Sequence, residues 1–234
     1  MIDRAVLSIF VMCEITPTET PVHILSIYSL ANFTTENASD ECRHTRNRDK
    51  KSARRVTKMD RVFLLDRSGS MESCRQDTID GFNAFVESQK QFGGTMTLCL
   101  FDDKFETVYE KTPIEEVPVL TEDTFVPRGG TALHDAMGQV LKMDMSDDAM
   151  VIILTDGEEN SSRTYTSVHV KDLVNLKPWK FVYLGANQDA VLTASELGIR
   201  TSLGYDVTRT PEVFRTLSQT VSNYTQDPSM GLMF

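Results

Sequence analysis

Asp66, Ser68 and Ser70 stand within five positions of one another in DRVFLLDRSGSMESC (residues 60–74), and the only donor atoms on their side chains are oxygens. Two more oxygen side chains occupy comparable settings. Thr131 follows PRGG at the entry to a helical pattern, and Asp156 closes the apolar run AMVIILTD. Two carboxylates with three hydroxyls suit a hard cation. Mg2+ takes six oxygens near octahedral geometry, keeps some waters and uses few carboxylates, whereas Ca2+ favours more carboxylates or carbonyls. With no sulfur or imidazole in the set, zinc and copper fit poorly. Mn2+ is the expected substitute in vitro. Alone, Ser68 and Ser70 would suit a turn that closes a strand and caps the next helix. Thr131 and Asp156 shift the reading toward a metal site.

The elements that must position these residues follow from periodicity. RVFLLD (61–66) and AMVIILTD (149–156) are short, nearly continuous apolar runs, as expected of central parallel strands covered on both faces. TMTLCLFDD (95–103) and KFVYLGAN (180–187) are similar, and the more polar ETVYEKT (106–112) suits an edge. Between them, residues 72–91 place Ile79, Phe82, Phe85, Val86 and Gln89 on one helical stripe, and residues 132–143 do the same with Leu133, Ala136, Met137, Val140 and Leu141. A third stripe, from Ala190 to Leu197, stops at Gly198, a C′ glycine. Thr210 and Pro211 read as the N-cap and first residue of a last helix that turns Phe214, Leu217, Val221 and Tyr224 inward.

The alternation predicts an α/β fold: a doubly wound, mostly parallel six-stranded sheet with helices on both faces and one antiparallel edge strand. In strand order 3-2-1-4-5-6, the strands ending in Asp66 and Asp156 are neighbours at the switch point, where ligands bind on such sheets.

DRSGSM, GGTAL and LTDGEEN, in this chain order, resemble the three-part metal-ion-dependent adhesion site of von Willebrand factor type A domains. The resemblance covers about residues 60–225. FDDKFETVYEK and FVYLGANQDA are similar to small stand-alone bacterial and phage members of that family. The resemblance implies a Rossmann-like domain in which Ser68 and Ser70 ligate Mg2+ directly and Thr131 does so directly or through water. It also implies that Asp66 and Asp156 act mainly through water while holding the serine hydroxyls. One coordination position is left for an acidic residue of a partner protein. The implied function is binding, with no enzyme activity.

Two alternatives follow. Some family members serve as accessory subunits of chelatase and ATPase assemblies; no GxxxxGK[ST] pattern occurs here, so nucleotide hydrolysis would belong to the partner. A Mg2+-dependent phosphohydrolase with Asp66 as nucleophile would want a second acid two residues on, where Ser68 stands; a Ser-His hydrolase on Ser68 or Ser70 would have only His134 or His169 as its base, and the serines lack the nucleophile-elbow pattern. Arg67 reads as a variable residue at the site rim. Asp102 and Asp103 read as solvated acids, Glu158 and Glu159 as added negative potential at the mouth, and Asp135 as favouring a helix N-terminus. Cys99 and Trp179 read as core.

The net charge of −10 over 234 residues argues against a nucleic-acid binder. No apolar run is long enough to span a membrane. Four cysteines without CxxC spacing read as reduced thiols in a cytoplasm. Residues 1–58 read as a disordered or loosely packed extension with a basic run at 43–58, preceding a domain at 59–234. Met59 is a candidate alternative start of translation, in which case peptides from residues 5–43 would be missing from the native protein's mass spectrum.

Overall fold

The computed structural model describes residues 58–186 and 189–234. The expectations for the N-terminal extension and for Asn187 lie outside these residues. Six strands form one sheet: β1 (Asp60–Asp66), β2 (Thr95–Phe101), β3 (Phe105–Pro113), β4 (Met150–Thr155), β5 (Lys180–Ala186) and β6 (Thr201–Tyr205). Five helices pack on it: α1 (Arg75–Gln89), α2 (Leu133–Val140), α3 (Ser167–Asn175), α4 (Ala190–Glu196) and α5 (Thr210–Gln226). The strand order is β3-β2-β1-β4-β5-β6, and only β3 runs antiparallel to its neighbour. The predicted architecture is the one observed.

Strand alternation divides the core into two layers. Phe63 and Leu65 face α1 and α5, while Val62 and Leu64 face α2, α3 and α4. Phe63 anchors the first layer, with its ring centre 5.2 Å from that of Phe82, 5.7 Å from Phe85 and 6.1 Å from Phe214. Each such buried aromatic contributes about 3–5 kcal/mol against truncation to alanine. Gly81 lets α5 close onto α1, since a Cβ there would overlap the Phe214 ring. The expected stripes of α1 and α2 are buried throughout. Cys99 is also buried, and Trp179 packs beside Phe181 just ahead of β5.

The helix ends show one success and one correction. Gly198, at φ +78°, follows α4, and the Ile199 amide donates to the Ala194 carbonyl, closing the helix as its glycine predicted. Thr210 is the first residue of α5 and not its cap. Its hydroxyl donates to the Val207 carbonyl because a short 3-10 turn, Val207–Arg209, runs directly into the helix. Among the described residues, no helix is long and apolar enough to cross a membrane.

Candidate metal centre

β1 and β4 are adjacent and parallel, with Leu65 opposite Leu154, so Asp66 and Asp156 emerge from neighbouring strand ends. After Asp66 the chain turns at once into a 3-10 segment, Gly69–Cys74, which holds Ser68 and Ser70 beside the strand that produced them. The Ser68 amide donates to Asp66 Oδ1 at 2.6 Å, and the Thr155 hydroxyl donates to Asp66 Oδ2. Ser70 Oγ donates to Asp156 Oδ1 at 2.6 Å and lies 3.1 Å from Ser68 Oγ.

Thr131 arrives from a distant loop and is fixed from two sides. Its amide donates to Asn160 Oδ1 at 2.9 Å, and its carbonyl accepts from the Asn160 and Ser161 amides. The three hydroxyls surround the glycine after Asp156. A Cβ placed on Gly157 would lie 3.0 Å from Thr131 Oγ1, 3.5 Å from Ser70 Oγ and 3.8 Å from Ser68 Oγ. All five predicted residues therefore meet at the carboxyl ends of β1 and β4.

The electrostatics of this cluster are unbalanced. Asp66 is fully buried, and burial raises its pKa to about 6, against the hydrogen bonds from Thr155 and Ser68 and with a small further push from Asp156. Burial also raises Asp156, opposed by the Ser70 hydroxyl. Among the described residues, neither carboxylate has a Lys or Arg partner. A divalent cation is the group such a site lacks, and the donors fit one. They are all oxygens, two are carboxylates, and three are hydroxyls converging on an open point. Among the described residues no three His, Cys, Asp or Glu side chains gather to hold a metal, so a cation here would depend on the hydroxyls.

Four residues around the site differ from expectation. Asp102 is fully buried, not a solvated acid, and Arg67 is buried with it and not exposed at the rim. Asp102 Oδ2 lies 3.1 Å from Arg67 Nε, 3.0 Å from Arg67 Nη2 and 2.9 Å from Arg128 Nε, while Oδ1 accepts from the Lys104 amide at 2.8 Å. Arg67 also reaches Glu106 at 2.8 Å. These contacts rivet the loops that carry the hydroxyls. Arg67 sits between Asp66 and Ser68, its carbonyl accepts from the Arg128 amide, and the Asp102 carbonyl accepts from the amide of Ala132, next to Thr131.

Glu159 does more than add potential. It accepts from the amides of His134, Ser161 and Ser162, tying the loop after β4 to the start of α2. Burial works to raise its pKa, but these bonds outweigh it and hold it below the ordinary value. Asp135 accepts from the amides of Arg163, Thr164 and Tyr165, so its role is to pin that loop. The His134 ring lies beside Glu159, its Nδ1 3.7 Å from the carboxylate.

Compared by sequence, the chain matches no protein-family model and no curated protein. Its fold is nonetheless shared with solved structures. A von Willebrand factor type A protein from Catenulispora acidiphila matches at TM-score 0.52 and 16% identity, over 70% of this chain and 42% of that one. The ArnB paralog VWA2 from Sulfolobus acidocaldarius matches at 0.51 and 19%, over 70% and 45%. Proximal thread matrix protein 1 of the mussel byssus, with a zinc-occupied MIDAS motif, matches at 0.52 and 16%, over 70% and 48%. The fold is therefore of the von Willebrand factor type A kind, and the chain spans less than half the length of each of these three.

Proposed function

We propose that the domain is a non-catalytic, Mg2+-dependent protein-binding module that captures an acidic residue of a partner protein. One observation carries this reading: the hydroxyls of Ser68, Ser70 and Thr131 gather beside two carboxylates that, among the described residues, no cationic side chain neutralises. Ser68 and Ser70 would hold the ion directly and Thr131 directly or through water, with Asp156 orienting the Ser70 hydroxyl and Asp66 the Ser68 backbone. Bound there, Mg2+ would supply a positive acceptor for the partner's carboxylate. The hydrogen-bond pattern favours binding over hydrolysis, since Ser68 faces Ser70 and Ser70 faces Asp156, and among the described residues no histidine hydrogen-bonds to either. A cytoplasmic location belongs to the same proposal and rests on the reduced-thiol reading of the cysteines; Cys74 and Cys99 are free and buried.

The test is affinity capture on immobilised protein in Mg2+, followed by elution with EDTA and identification of what is released. Proteins that elute with EDTA and are absent from a Ser68→Ala column support the reading. Partners that EDTA does not release, or turnover of a phosphate ester that fails in Asp66→Asn, contradict it. Mn2+ and Zn2+ arms belong in the experiment, because the mussel protein holds zinc in its corresponding motif.

A further inference from the structure

β3 and β6 are the two edges of the sheet, and they are protected differently. Along β3 the register to β2 breaks between Met96 and Leu98 and again between Leu98 and Cys99, Lys111 stands at φ 45°, and Glu106, Glu110 and Lys111 distribute charge. Bulges and charges of this kind keep another strand from adding to an edge. β6 reads Thr-Ser-Leu-Gly-Tyr, with no charge, no proline and an unbroken register against β5. Brevity is the only one of these devices it has. Its residues are half-buried or exposed, and among the described residues nothing hydrogen-bonds to its outer side.

This open edge begins at a basic cleft. A depression of about 380 Å³ opens where β5 and β6 start, lined by Lys177, Lys180 and Arg200 over Trp179 and Phe181, and by no carboxylate. Lys177 Nζ rests 4.3 Å from the centre of the Trp179 ring. Among the described residues none of the three cations forms an ion pair. In a chain of net charge −10, this is a local inversion of sign. Further along the strand, a second depression of about 160 Å³ lies beside Leu203 and Tyr205, lined by Val213 and Thr216 of α5 and by the paired Arg209 and Glu212.

We propose that the β6 edge and the basic cleft together dock an extended, acidic segment of a partner protein. The segment's main chain adds beside β6 as a seventh strand. An apolar side chain enters the smaller depression, and its acidic residues meet Lys180 and Arg200. The basic cleft lies at the end of the sheet opposite Asp66, and the docking needs no metal.

The test uses the full chain in EDTA, which separates it from the adhesion-site reading. A short synthetic peptide alternating Thr and Val and ending in Glu-Glu is titrated in, alongside a twin ending in Lys-Lys. Trp179 is the sole tryptophan and lies in the cleft, so its fluorescence reports occupancy, while amide hydrogen exchange reports the edge. The expected result is saturable binding of the Glu-Glu peptide with exchange slowed at residues 200–206. The twin, and a Lys180→Glu/Arg200→Glu double variant, should bind about tenfold more weakly or worse. Both variant positions are exposed, and the milder Lys180→Gln/Arg200→Gln pair replaces them should the double reversal lose its circular dichroism. No binding, equal binding of the two peptides, or protection confined to another strand overturns the proposal. So does slow exchange, before any peptide is added, at those amides of 200–206 that point away from β5, the sign that the edge is already covered by the chain's own residues.

Discussion

Asp66 and Asp102 leave adjacent strands at the same end of the sheet, both fully buried, and the molecule treats them in opposite ways. Burial alone works to raise both. At Asp102 the hydrogen bonds from Arg128 and the Lys104 amide, together with the Arg67 charge, outweigh burial and hold the carboxyl below its ordinary value. At Asp66 only a hydroxyl and hydrogen bonds from Ser68 oppose burial, and the pKa stays near 6. One buried carboxylate is neutralised by the protein's own side chains. The other has no Lys or Arg partner among the described residues, and the hydroxyls gather around that one.

The largest test of this contrast is Asp102→Asn. It leaves Arg67 without its buried partner, a change that costs about 3–5 kcal/mol and roughly 10 °C in Tm for a domain of this size. Because Arg67 and Arg128 hold the loops that carry Ser68 and Thr131, Mg2+ affinity should fall as well, although no predicted ligand is touched. Thermal melts with titration calorimetry check both effects.

Asp66→Asn should act in the reverse direction. Removing an unpaired buried charge should stabilise the metal-free protein at pH 7 by on the order of 2–3 kcal/mol, while abolishing Mg2+ binding. A variant that is less stable without metal would contradict the raised pKa.

The two carboxylates also predict opposite pH dependence. The folded pKa of Asp66 lies above its ordinary value, so its contribution to stability is full below about pH 4 and is lost as pH rises through about 6. Asp102 is lowered, so its contribution is present above the ordinary carboxylate pKa and is lost as pH falls through the folded value. In metal-free protein, the Tm of the wild type should therefore fall relative to Asp66→Asn between about pH 4 and 6. Mg2+ at pH 7 should restore it, taking the place of the proton.

The smallest effect expected is that of Gly157→Ala. Its Cβ would sit 3.0 Å from Thr131 Oγ1, inside the space the hydroxyls surround. Stability should change by no more than about 1 kcal/mol, while Mg2+ binding weakens about tenfold by calorimetry.

The contrast also marks what was legible in the sequence. Asp66 and Asp156 announce themselves because each ends a continuous apolar run, and such runs become adjacent central strands. Ser68, Ser70 and Thr131 follow from short local patterns. The neutralisation of Asp102 was not legible, since Arg67 and Arg128 lie 35 and 26 positions away and meet it only once β1, β2 and the loop before α2 are assembled. Asn160 and Glu159 stand inside the readable LTDGEEN segment, but their hydrogen bonds run to Thr131 and His134 across the fold. β6 and α3 escaped for a local reason. TSLGY is short and lacks alternation, and α3 buries only Val170 and Val174, too narrow a stripe to stand out.

The central claim is that the cluster around Gly157 takes a divalent cation that the protein does not replace internally. Calorimetric titration of metal-free protein with Mg2+ at pH 7, alongside Ser68→Ala, tests it most directly. One saturable site per chain is expected in the wild type and none in the variant, whose fold is checked by circular dichroism. No binding to the wild type, or undiminished binding to Ser68→Ala, would contradict it.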